Sequence, residues 1–156
     1  MFKIEHSPEN RQVLIKIGKN KRNFEQGIRY GFYEIGKDLV KTAKDGILKN
    51  DKTGRIYSIG KYKHQASSAG QYPANRRPAI RRALNQSTNA EARLAFSLAF
   101  NVIGFREMHF GSKVPHGKWL QEGTSKIKPR PFLTLSVNAN QRNAITTFQN
   151  EISKRM

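Results

Sequence analysis

Between residues 23 and 50 the apolar side chains return at spacings of three and four: Phe24, Ile28, Phe32, Ile35, Leu39, Ala43 and Ile47. That spacing puts them on one face of an α-helix, and the face must be covered by the rest of the fold. Asn23 suits the N-cap, and Gln26 three residues on resembles a capping box. Gly27, Gly31 and Gly36 each weaken such a helix by roughly 0.5–1 kcal/mol relative to alanine. They are either tolerated on a core-facing helix or mark the close approach of another backbone.

The flanking segments supply candidates to cover that face. Residues 2–5 and 12–17 read as short strands, the second because Val13, Ile15 and Ile17 alternate with Leu14 and Lys16. Residues 18–22 read as a basic turn. Residues 55–62 suggest a strand or hairpin arm, and 65–77 a long loop. Residues 78–84 start a short helix with proline at its first position. Alternation of Phe96, Leu98, Phe100 and Val102 favours a strand over 92–102, and Met108 and Phe110 continue it into a second over 106–112. A short helix over 116–121, a turn at 122–124 and a helix over 138–155, with Ile145, Phe148 and Ile152 on one face, complete the chain.

The expected class is therefore α+β. A small antiparallel or mixed sheet packs against the long helix of the N-terminal half and a C-terminal helix. At 156 residues one domain, 1–156, is expected. With 37% hydrophobic residues, either its core is thin or some segments lie outside it. A loop as long and polar as 60–90 is usually functional or disordered, and mobility in the free subunit is expected.

Charge narrows the partners. Twenty-nine Lys and Arg against eleven Asp and Glu leave a net charge of +18. Such an excess points to nucleic acid, an acidic protein surface or an acidic membrane, and says nothing of fold. It is concentrated: residues 52–90 hold Lys52, Arg55, Lys61, Lys63, Arg76, Arg77, Arg81 and Arg82 and no acid. There is no cysteine, so neither disulfides nor thiolate metal sites are available. No secretion signal is evident, and the longest mostly apolar stretch, 94–105, falls short of the roughly 20 residues that span a bilayer. The expectation is a chain made in the cytoplasm, without a membrane role.

Catalytic patterns are missing. His109 and His116 stand seven apart, no zinc-ligand spacing, and His6 and His64 are isolated. The carboxylates are scattered rather than paired for acid–base work. Gly-Lys recurs, but Asn20, Asp38, Tyr62 and Trp119 follow it, so there is no phosphate-binding loop. No serine lies in a nucleophile-elbow pattern. Neither enzymatic activity nor a cofactor is expected.

The most informative run is 114–133, VPHGKWLQEGTSKIKPRPFL. Trp119 and Leu120 are apolar anchors, and Gly123 supplies a permissive bend before Thr124 and Ser125. Lys126, Lys128 and Arg130 alternate with Ile127, Pro129 and Pro131, and residues before proline prefer extended geometry. The arm should be stiff, with Phe132 and Leu133 anchoring the last helix. A loop pinned to its own core by Trp119 and Phe132 is the plainer alternative to a docking arm.

This run resembles the signature of the tailed-phage neck and tail-completion family, the HK-ninety-seven gene-product-ten-like proteins, which are similar to the minor tail protein Z of phage lambda. The matching residues are Leu120, Glu122, Gly123, Thr124, Ser125, Lys126, Arg130, Pro131, Phe132 and Leu133, with Trp119 where a small or aromatic residue is common. A second, looser match is HQASSAGQYPANRRPAIRRAL, residues 64–84. There Gln71 replaces the usual acid, and Arg77 and Pro78 replace a Thr-Gly pair. The resemblance covers roughly residues 20–155.

It implies a structural virion protein at the head–tail junction, forming a homo-oligomeric ring, in hexameric form or another, through which DNA passes. Its implied neighbours are head-completion, tail-terminator or tail-tube proteins. The family offers no catalytic residues to carry over. In such a ring Lys61, Lys63, Arg76, Arg77, Arg81 and Arg82 would grip an acidic face, touch DNA transiently, or form solvated surface. Gripping is favoured, because DNA must slide through a neck. The alternative from charge alone is a non-catalytic nucleic-acid-binding domain, though zinc-finger spacing and an RNA-recognition aromatic signature are lacking. A small basic nuclease or toxin shares the charge but lacks the catalytic groups.

Overall fold

In the computed structural model, which describes residues 8–76, 78–86 and 93–156, the stripe over 23–50 belongs to a longer helix, α1, spanning Pro8–Lys49. The strand expected at 12–17 and the turn expected at 18–22 are both helical instead, and Asn23 is interior rather than a cap. Val13 and Ile17 are four apart, and Phe24, Gly27, Gly31 and Ile35 follow at helical spacing, so the same face runs through. Once the strong helix downstream is nucleated, each added residue extends it at little cost. The strand expected at 2–5 lies outside the described residues.

Helix α4, Phe132–Ser153, runs antiparallel to α1. Asn140 donates to the Thr42 hydroxyl at 2.9 Å. Further along, the Phe148 ring meets Phe32 edge-on at 5.0 Å, and Ile152 reaches Gly27. A side chain at Gly27 would stand 2.8 Å from the Ile152 Cα, so that glycine permits the close helix approach. The helix starts at Phe132 rather than at 138. The small polar residues Ser136 and Asn140 are buried on it, Asn140 against Thr42 of α1. Phe148 and Ile152 pack inward as expected, but Ile145 does not; it is exposed.

Two antiparallel hairpins form among the described residues. Strands β1 (Ile56–Ile59) and β2 (Tyr62–Gln65) pair with Tyr57 opposite His64. Strands β3 (Leu98–Ile103) and β4 (Glu107–Ser112) pair with Phe100 opposite Phe110. The second hairpin lies on α1, with the Phe100 ring seated over Gly36 and edge-on to Tyr33. The strand expected from 92 begins only at Leu98. Leu94–Phe96 form a 3₁₀ turn instead, with neighbouring Leu94 and Ala95 both buried, unlike the alternation of a half-buried strand. Two short helices, α2 (Pro78–Ala83) and α3 (His116–Glu122), lie where they were expected.

The fold is α+β. Its core sits where the C-terminal end of α1 meets the start of α4. Ile47, Leu94, Ala95 and Phe132 are buried together, with Tyr72, Leu98, Val114, Leu120 and Leu133 packed on them. Phe132 is 0% exposed, and burying such a side chain contributes about 1.5–3 kcal/mol. Ser136 donates to the Phe132 carbonyl at 2.7 Å, so Tyr72 is the donor in the 3.3 Å bond between their two hydroxyls. Among the described residues no helix is long and apolar enough to cross a membrane.

The long basic segment is partly tied down. Gln71 accepts from the Ser68 amide at 2.9 Å, and Ser67 from the Ala74 amide at 3.3 Å. Ser67 is itself buried.

Candidate functional site

Alternation along the first hairpin puts Arg55, Tyr57, His64 and Ala66 on one face. That face floors a cleft of about 1050 Å³. Arg76, Arg81 and Gln86 form one wall, and Lys126, Ile127, Lys128 and Arg130 line it from the arm; His116 and Leu120 of α3 complete it.

The arm is placed by its own chemistry. Gly123 ends α3 at φ 83°, a conformation that suits glycine, and its amide donates to the Trp119 carbonyl. Thr124 and Ile127 then exchange backbone bonds of 2.8 and 3.2 Å, while the Thr124 hydroxyl accepts from the amides of Lys126 and Ile127. The Arg130 amide donates to the Leu120 carbonyl at 2.7 Å, and Gly70 donates to Pro129 at 3.0 Å. The Arg130 guanidinium donates from Nη2 and Nε to the carbonyl of buried Ser67, at 2.8 and 3.2 Å. The run that looked like a docking arm is thus stitched to the basic loop of its own chain.

The cleft is cationic. Arg55, Arg76, Arg81, Lys126, Lys128 and Arg130 line it, and none of the lining residues is Asp or Glu. Burial, and then the neighbouring Arg76, pushes His64 below the ordinary histidine range. Burial and Arg81 do the same to His116. Arg81 is itself held below its ordinary value by burial, then by Arg93 and Arg76. Arg76 donates to Gln86 at 3.0 Å, which fixes its direction along the wall. Such a site concentrates anions.

Sequence-selected residues divide clearly. Leu120, Lys126 and Arg130 come together with Arg76 and Arg81 at the cleft. Phe132 and Leu133 belong to the core, and Pro131 precedes α4. Glu122, Ser125, Lys61, Lys63 and Arg82 are exposed and outside the cleft lining. Arg77 lies outside the described residues. Trp119 is not the peg it was expected to be: it is 56% exposed, because α3 turns Leu120 inward instead. Arg55, Tyr57, His64, His116 and Lys128 had not been singled out as site residues. The Tyr57–His64 pairing follows only from the hairpin register.

A smaller groove of about 680 Å³ lies between α1 and β3, lined by Arg29, Tyr30, Tyr33, Phe100 and their neighbours. Tyr30 and Tyr33 are both half-exposed, and the Arg155 guanidinium stands 4.1 Å from the centre of the Tyr30 ring.

No family model, curated protein or solved structure matches the chain.

Proposed function

We propose that the chain is a structural, non-catalytic subunit of the head–tail junction of a tailed phage or prophage. It assembles as a ring with copies of itself, between head-completion and tail-terminator or tail-tube neighbours. The residue pattern over 114–133 supports this assignment, and so does the order of elements.

The observation that carries it is the part of α1 left uncovered among the described residues. Residues 8–26 continue the helix beyond the turn where Ile152 meets Gly27, which is about 28 Å of helix. On that stretch Val13, Ile17 and Phe24 are 55%, 58% and 44% exposed. They stand in line with Gly27 and Gly31, the positions that receive α4 further along. A helix-packing face that outruns its own partner is a surface for a neighbouring copy to complete. Exposed Trp119 adds an aromatic anchor of the kind enriched at interfaces.

Deletion of the gene from the phage that encodes it tests the assignment. Filled heads and tails that fail to join, restored by the gene in trans, are the expected outcome. Normal yields of infectious particles would reject it.

A further inference from the structure

An occupant of the cleft would have to supply negative charge. A second copy of this chain is a poor source, because its eleven acids are scattered through a chain of net charge +18. The floor narrows the choice further. Tyr57 and His64 sit directly opposite one another on the hairpin, and the Arg55 guanidinium stands 5.5 Å from the Tyr57 ring centre. Paired flat rings on a sheet face, ringed by cations, suit unstacked bases with phosphates at the margins. An acidic peptide would satisfy the cations but leave the rings without a role. A duplex keeps its bases stacked inside and cannot present them to the floor.

The cleft, at about 1050 Å³, lies at the upper end of the roughly 300–1000 Å³ of small-ligand pockets and has room for a nucleotide.

We propose that this cleft binds single-stranded nucleic acid, with bases against Tyr57 and His64 and phosphates against Arg76, Lys126 and Lys128. Arg130, already committed to the Ser67 carbonyl, positions the arm rather than the strand. This site is independent of the head–tail assignment, and either can fail alone.

The test is fluorescence anisotropy of a labelled oligothymidylate of about eight nucleotides with the full chain, titrated between about 50 and about 200 mM salt. Three phosphate contacts give a slope of log affinity on log salt near about −2. Tyr57→Leu, which keeps bulk in the hairpin but removes the ring, should weaken binding at least about fivefold with the slope unchanged. Tyr57→Phe should bind as the parent does. Replacing Lys126 and Lys128 together by Gln should flatten the slope by about 1.4. Lys41→Gln, an exposed α1 position outside the cleft, should change neither. The proposal is overturned if Tyr57→Leu binds like the parent, or if Lys41→Gln costs as much as the cleft lysines. It is equally overturned if an oligoglutamate of matched charge displaces the strand at equal concentration, which would make the occupant an acidic protein segment.

Discussion

Arg130 donates two hydrogen bonds to the carbonyl oxygen of Ser67, from Nη2 at 2.8 Å and from Nε at 3.2 Å. That fork joins the arm to the basic loop and holds the two walls of the cleft at a set distance. Hydrogen bonds from a charged donor contribute about 1.5–3 kcal/mol. Arg130→Ala should therefore lower the unfolding free energy by about 2 kcal/mol. Arg130→Lys should recover little of it, because an ammonium cannot reproduce the planar fork. Urea denaturation of the three chains checks both values.

Gly27 and Ile152 make the complementary contact at the other end of the helix pair. Alanine has the better helix propensity by roughly 0.5–1 kcal/mol, which would stabilise an exposed site. Here the new Cβ meets the α4 backbone at 2.8 Å, and overpacking of this kind costs about 1–3 kcal/mol. Gly27→Ala should be destabilising on balance. A raised melting temperature for that variant would contradict the packing.

Much of this architecture is legible in the residues. The stripe from Phe24 to Ile47 announces α1, and Pro78 and the segment around His116 mark the short helices. Val13, Ile15 and Ile17 satisfy a period of two, yet Val13 and Ile17 also satisfy a period of four, and the helix downstream decides between them. Ile145 looks like a core residue beside Phe148 and Ile152. Small polar Ser136 and Asn140, which the apolar pattern does not mark, are buried instead. The cleft is less legible. Its Arg76, Lys126 and Arg130 stand out by charge, but Tyr57, His64 and His116 are unremarkable until the hairpin register and α3 bring them together.

Phe132 and Trp119 should separate stability from assembly. Phe132 is fully buried and Trp119 is more than half exposed. Phe132→Ala should cost about 3–5 kcal/mol, read by thermal or denaturant unfolding. Trp119→Ala should leave the melting temperature of the isolated chain nearly unchanged while reducing joined particles in a complementation assay. Equal losses of stability at the two positions would contradict the placement of α3.

His64 and His116 give stability a pH dependence of known sign. Both are held below the ordinary histidine pKa in the folded chain, chiefly by burial. As pH falls below about 6.5 the unfolded chain takes up protons first, so stability drops until the folded imidazoles also titrate. Melts at about pH 7.5 and about pH 5.5 should show a decrease that shrinks when both residues are replaced by Asn. An unchanged decrease in the double variant would assign the effect to other groups.

Membership in the particle is the most direct question to put to this chain. Quantitative mass spectrometry of gradient-purified phage, with heads and tails then separated, answers it. The expected result is a fixed number of copies per particle, retained at the junction end of one fraction. Its absence from infectious particles would contradict the assignment, whatever the cleft binds.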